Sequence, residues 1–156
     1  MTDSLAGGCL CGVVRYVVKT DTMPPCYACH CTDCQTQTGS AFGLQVPLMS
    51  DSLEISGNLR EGKREMPSGS IGRIYCCTVC AVRIYAENGA RPGMKILRAG
   101  TLDDSASIEP RFHLWTSSKQ PWVEIPKDVE ALAKQPETQQ DWMQLFAGTY
   151  RAEAGG

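Results

Sequence analysis

The sequence predicts a mainly β protein, and three observations predict it. Apolar and polar residues alternate with period two in short runs along most of the chain. Gly- and Pro-containing turn signals separate those runs. Helical spacing is confined to the C-terminal end. The strand segments are, in order, "VVRYVV" (13–18), "AFGLQV" (41–46), "SLEIS" (52–56), "GRIYC" (72–76), "VRIYAE" (82–87), "MKILRA" (94–99) and "RFHLW" (111–115). Between them lie "SGN" (56–58), "PSGS" (67–70), "ENGARPG" (87–93) and "TLDDS" (101–105). Two helical segments are expected at the end. "DVEALAK" (128–134) opens on an Asp suited to an N-cap. "TQQDWMQLFA" (138–147) opens on a Thr and carries Trp142, Leu145 and Phe146 at helical spacing, as an amphipathic segment packing on the domain does. The final "AEAGG" is expected to fray.

A chain of 156 residues, 42% of them apolar, suits one domain with a real core. The net charge is −2 with no basic run, so nothing electrostatic invites nucleic acid. No stretch approaches the roughly 20 apolar residues of a membrane span. "MTDSLAGG" has neither the basic nor the apolar region of a secretory signal. The expected location is therefore the cytoplasm, where thiols stay reduced.

Nine cysteines then need a reason. An odd number, tight spacings and a reducing compartment all argue against a disulfide framework and for metal ligation. They fall into three groups: Cys9 and Cys11; Cys26, Cys29, Cys31 and Cys34; and Cys76, Cys77 and Cys80. Zinc is the natural metal for tetrahedral thiolate sets. Cys77 and Cys80 share a C-x-x-C knuckle, and Cys9 and Cys11 supply two more ligands. In an extended strand residues two apart point the same way, so both sulfurs face one metal. Four thiolates close the shell, which makes this site structural. Cys76 competes with Cys77, and the spacing favours Cys77. Ala81 stands where knuckles often carry a Gly at positive φ, so a somewhat different turn is expected.

The second group holds Cys29-His30-Cys31-x-x-Cys34. Alternation puts Cys29 and Cys31 on one side and His30 on the other. A turn from 31 to 34 returns Cys34 to the same metal. Three protein ligands and one open position are the pattern of a reactive zinc. Cys26 is the rival: if its sulfur completes the shell, this site too is structural.

In order along the chain stand "GGCLCGVVRY" (7–16), "CHCTDCQTQTGSAFG" (29–43), "YCCTVC" (75–80), "RAGTLDD" (98–104) and "HLWTSSKQPW" (113–122). Together they resemble the glutathione-dependent formaldehyde-activating enzymes, the S-(hydroxymethyl)glutathione synthases, over roughly residues 5–126. The resemblance implies a Mss4-like fold, a β-tent of antiparallel sheets stapled by two zinc ions. Carried over by position, Cys9, Cys11, Cys77 and Cys80 match the structural zinc site, and Cys29, Cys31 and Cys34 the catalytic one. Residues 1–127 then form the zinc-binding domain, and 128–156 a tail with short helices packing on it. The partners implied are a thiol such as glutathione and a small aldehyde such as formaldehyde, with a homodimer admissible.

The implied activity is that of a carbon–sulfur lyase run as a synthase, joining thiol and aldehyde into a hemithioacetal. A free thiol, with pKa near ~8.5, is mostly protonated at neutral pH. A zinc with an open position binds and deprotonates it. Three thiolate ligands leave the zinc site one negative charge, which suits thiolate handling better than hydroxide generation. Gly39, Ser40, Ala41 and Phe42 line the site or simply turn the chain. Trp115 and Trp122 are expected in the core rather than on a pocket wall. Asp103 and Asp104 read as a solvated turn, His113 as a satisfied strand residue, and Arg60, Lys63 and Arg64 as a solvated face. No general base is assigned. The competing reading is a zinc-stabilised Mss4-like binding or chaperone module without catalysis, and fold alone does not separate the two.

Overall fold

The computed structural model describes residues 5–20 and 22–149. The expected fraying of "AEAGG" lies outside them. The described residues form two compact units. One comprises the residues through Pro24 with Gln45–Ile108; the other comprises Pro25–Leu44 with the residues from Glu109 on.

The first unit is antiparallel throughout. A three-stranded sheet runs β1 (Leu5–Gly8), β2 (Arg15–Val18) and β5 (Leu53–Ser56). Arg15–Val18 shows the exposed–buried alternation that predicted it, with Tyr16 and Val18 buried. A second set runs β4 (Gly43–Met49, here from Gln45), β9 (Met94–Arg98), β8 (Arg83–Asn88), β7 (Ile71–Cys77) and β6 (Leu59–Glu65). Val46, Leu48, Ile84, Tyr85 and Leu97 are its buried apolar residues. Two of this unit's strands were not foreseen. "LREGKRE" buries no residue and lies at the sheet edge, where charge protects against edge-to-edge pairing rather than marking a loop. "LAGG" is short, and its Gly7 is required by close approach: a Cβ there would stand 2.3 Å from both the Tyr16 hydroxyl and the Thr101 carbonyl oxygen. Tyr16 in turn shares a 2.8 Å hydrogen bond with the Thr101 hydroxyl.

The second unit is a parallel three-stranded sheet flanked by helices. β3 (Cys26–Cys29) pairs with β10 (Pro110–Leu114), which pairs with β11 (Glu130–Ala131). The segment 128–134 is thus a turn and a short strand, not the expected helix. Its carbonyls from Leu132 to Lys134 accept bonds from the backbone of Trp115, Thr116 and Ser117, and that pairing overrides a weak helical signal. α1 (Thr32–Thr38) was not foreseen as a helix, because "TDCQTQT" has poor propensity and one buried residue, Cys34. α2 (Gln139–Ala147) forms as expected, with Thr138 as N-cap in a capping box with Asp141. Leu145 joins Tyr27, Cys29, Cys34, Phe112 and Leu114 in one apolar cluster, with Trp142 and Phe146 packed against it. Among the described residues no helix is long and apolar enough to cross a membrane.

Candidate metal centres

Two cysteine clusters form, one in each unit. In the first, the sulfurs of Cys9, Cys11, Cys77 and Cys80 all lie within 4.8 Å of one another. Cys9 Sγ stands 3.5 Å from Cys11 Sγ, which stands 3.7 Å from Cys77 Sγ. Sulfurs bound tetrahedrally to zinc at ~2.3 Å are about 3.8 Å apart, so this donor set fits such an ion. The expectation that Cys9 and Cys11 share an extended strand is corrected. Both lie past the end of β1, on the turn into β2, where Gly12 at φ 79° reverses the chain. The turn is closed by Cys9 N–H donating to the Val14 carbonyl at 3.0 Å.

The second knuckle mirrors the first. Cys77 N–H donates to the Val82 carbonyl at 2.9 Å, and Ala81 N–H to the Cys77 carbonyl at 3.1 Å. Ala81 takes φ 61°, so the turn keeps the left-handed geometry without the Gly that favours it. Backbone amides of Val14 and Val79 donate to Cys9 Sγ (3.2 Å) and Cys77 Sγ (3.4 Å), and such bonds favour thiolate over thiol. The Cys80 thiol is drawn down to about 6, first by the Val82 amide and then by that of Cys11. Cys76 belongs to neither cluster. On a strand it faces opposite to Cys77.

The second cluster is Cys29, Cys31 and Cys34, again with all sulfurs within 4.8 Å of one another. Cys29 ends β3, Cys31 is the N-cap of α1, and Cys34 sits on the first helical turn. Cys29 Sγ lies 3.5 Å from Cys31 Sγ, which accepts the Cys34 amide at 3.4 Å. The Cys31 thiol is lowered, first by its contacts with Cys29 and Cys34 and further by the amides of Cys34 and Asp33. Cys29 is raised, first by the same two thiols and then by burial. The Cys34 amide at the start of α1 thus points at the Cys31 sulfur and favours its thiolate.

The sulfur of Cys26 is not among the three. By strand alternation it shares a face with Ala28, opposite Tyr27 and Cys29. His30 also turns away, as expected. It is fully buried, its Nε2 lies 2.8 Å from His113 Nδ1, and its ring centroid is 5.1 Å from that of Phe42. Burial, then the neighbouring His113, holds His30 down to about 4, and burial also lowers His113. Burial thus disfavours the charged form of both rings, and one N–H serves the bond between them. The His30 carbonyl accepts from Gln35 Nε2 (2.8 Å) and Ser118 Oγ (3.0 Å). Its amide donates to the Leu114 carbonyl at 2.9 Å. The residue between two of the cluster's cysteines is thus held at every backbone group.

Beside α1 lies an open surface depression of about 580 Å³. Gly39, Ser40 and Ala41 border it, so this part of the "GSAF" run does line a pocket. Trp122 borders it too and is 71% exposed, which corrects its expected place in the core. The side-chain amides of Gln35 and Gln120 complete the wall and had no sequence signal, because Gln carries no motif and the two are brought together only by folding. Trp115 is half-buried against the apolar cluster, with φ 59°. In the first unit Asp103 forms a bidentate pair with Arg15, an interaction the reading of a solvated turn missed. The Asp104 carbonyl accepts from the Ser107 hydroxyl at 2.9 Å. Lys63 pairs with Glu61 at 2.9 Å, on the exposed edge strand it shares with Arg60 and Arg64.

Comparison with known proteins agrees with this arrangement. A crystal structure of a Rhodobacter sphaeroides protein superposes with a TM-score of 0.52 at 17% identity, covering 68% of this chain and 92% of that one, which is a likeness of fold. A protein of Halomonas elongata named "Putative glutathione-dependent formaldehyde-activating enzyme" is 26% identical over 126 residues, spanning 78% of this chain and 80% of its own. The family model described as glutathione-dependent formaldehyde-activating enzyme matches residues 4–118, a span that contains both cysteine clusters. The chain therefore belongs to the glutathione-dependent formaldehyde-activating enzyme family.

Proposed function

We propose that the protein is a zinc-dependent carbon–sulfur lyase that works as a synthase, adding a thiol, glutathione, to a small aldehyde such as formaldehyde. The observation that carries this reading is the three-sulfur cluster of Cys29, Cys31 and Cys34, with Cys26 outside it. A set of three thiolates leaves room at a tetrahedral ion, whereas the four-sulfur cluster does not. When bound there, zinc supplies a position at which a thiol is held as its thiolate.

The chain's own residues do the rest. The neighbouring thiols of Cys29 and Cys34, and after them the amides at the start of α1, favour the thiolate form of Cys31. His30, locked by His113, Gln35 and Ser118, fixes the spacing of Cys29 and Cys31. In the reaction a carbon–sulfur bond forms as the sulfur lone pair attacks the carbonyl carbon. The carbonyl π pair moves to oxygen. The proton lost by the thiol is regained at the new hydroxyl, so no net proton is consumed. The reverse breaks the same bond. A cytoplasmic location would keep all the cysteines in the reduced form this requires.

The first cluster, Cys9, Cys11, Cys77 and Cys80, holds the structural zinc in this proposal. A binding module without catalysis needs one such staple and leaves the second cluster unexplained. The test is zinc content with sulfur coordination by X-ray absorption, alongside hemithioacetal formation from glutathione and formaldehyde above the spontaneous rate. Two zinc ions per chain, a Cys34→Ser variant with one, and loss of that variant's rate support the proposal. A single zinc in the wild type, or a Cys26→Ser variant that loses a metal, would sink it.

A further inference from the structure

The five antiparallel strands of the first unit bury one face and leave apolar side chains on the other. On the first face Val46, Leu97 and Tyr85 are buried. On the second, a single row crosses all five strands. Pro47 stands beside Ile96, Ile96 beside Ala86, Ala86 beside Ile74, and Ile74 beside Gly62. Direct register partners share a face, so this row is continuous. None of the five carries a charge or a polar side-chain atom, and all are half-buried rather than buried. A sheet with one face on the core ordinarily turns polar side chains outward. The next row adds the pair Met49 and Met94, with Met49 60% exposed. Two glycines keep the surface flat. A Cβ on Gly62 would stand 3.0 Å from Ile74 Cγ1, and one on Gly72 3.0 Å from Met66 Sδ, so both side chains lie over neighbouring glycines.

Strands about 4.8 Å apart and rows about 6.8 Å apart give this patch roughly 24 by 13 Å. An apolar patch of that size, about 300 Å² in projection, marks an interaction surface. Covered by an equal patch it makes a weak, reversible interface rather than an obligate one. The patch matches a copy of itself. A two-fold axis parallel to the strands and passing over β8 sets β6 of one copy over β4 of the other, and β9 over β7. Ala86 then meets its own copy, and each Ile96 meets an Ile74. At the rim, exposed Arg64 on β6 meets the end of β4, where exposed Asp51 follows Met49. Apolar against apolar at the centre and opposite charges at both ends are what an isologous interface requires. The charged edge strand β6 discourages edge-to-edge pairing, which leaves the face as the route of association.

We propose that the protein forms a reversible two-fold homodimer through this outer face of β4, β9, β8, β7 and β6, with Ala86 on the axis. The row contains none of the clustered cysteines, so the proposal stands or falls apart from the thiol chemistry.

Sedimentation velocity on the metal-loaded protein tests it, from about 1 to about 300 µM, the range in which a small interface dissociates. The wild-type sedimentation coefficient is expected to rise with concentration from the monomer to the dimer value. Ala86→Glu and Ala86→Lys each set like charges against each other on the axis, and each should raise Kd at least about tenfold. An equimolar mixture of the two should associate again, and that recovery should fade with added salt. A residue that only supported the fold would show no such recovery. Circular dichroism and metal content report whether the variants fold. Met49 is exposed, so Met49→Arg, which would face Arg64 of the other copy, gives a second variant with little burden on the fold and the same expected weakening. Wild type that stays monomeric at the highest concentration overturns the proposal and leaves the face to a different partner. Folded variants that associate as tightly as wild type overturn it as well, and so does a mixture of Ala86→Glu and Ala86→Lys that stays monomeric.

Discussion

Ala81 shows what a single backbone angle costs. It holds φ 61° in the Cys77–Cys80 knuckle, where a Cβ crowds the following carbonyl. Its amide bond to the Cys77 carbonyl makes that angle part of the ligand turn. Ala81→Gly should relieve ~1–2 kcal/mol of strain and return ~0.4–1 of it through greater unfolded-state freedom. A net stabilisation of up to about 1.5 kcal/mol is expected, read as a rise in the urea midpoint of the metal-loaded protein. A fall would show that Ala81 is not strained. His113 is the second residue of this kind. His113→Leu removes the partner of a fully buried ring nitrogen of His30. The expected cost is about 1–3 kcal/mol in denaturant unfolding; a neutral result would mean His30 finds another partner.

At the scale of elements, α2 and the three-cysteine cluster share one apolar core. Leu145 is 2% exposed and belongs to the same cluster as Cys29 and Cys34. Leu145→Ala should cost about 2–5 kcal/mol by transfer and cavity terms. It should also loosen the walls behind two ligands, so zinc release from this cluster should quicken while the four-sulfur cluster keeps its rate. A chromophoric chelator separates the two releases, and equal rates in variant and wild type would refute the coupling. α2 was legible in sequence because a Thr cap, an Asp three residues on and three spaced apolar residues all agree. The 128–134 segment was not, because its Asp and apolar residues are equally compatible with a strand whose partner, β10, lies elsewhere in the chain. α1 escaped for the opposite reason: its capping group is a cysteine sulfur, and its residues favour coil.

For the molecule as a whole, metal is expected to act as a long-range crosslink. Cys11 and Cys77, whose sulfurs nearly touch, are 66 positions apart. Closing a loop of that length restrains the unfolded chain by about 4 kcal/mol in a loop-entropy model. Exhaustive chelation should therefore raise hydrogen exchange in β1, β2, β7 and β8, whose ends carry these ligands. Unchanged exchange there after metal loss would mean that the sheets hold the knuckles without it. The three-donor cluster should release its ion before the four-donor one, seen as two phases of equal amplitude.

The sequence by itself determined the strand-rich class, the grouping of seven cysteines into two sets, and the turning away of His30. Each of these follows from local rules: period-two patterning, pair spacing and strand parity act over a few residues. Tertiary structure alone decided three other matters. Cys9 and Cys11 converge on a turn rather than a strand, because Gly12 reverses the chain between two paired strands. Residues 26–29 become a strand only by pairing with β10, and that pairing is what lets alternation leave Cys26 outside the cluster. Gln35, Gln120 and Trp122 become one hydrogen-bonded wall, because residues 85 positions apart meet only when the parallel strands have formed. Local chemistry names the candidate ligands; long-range pairing decides what stands next to them.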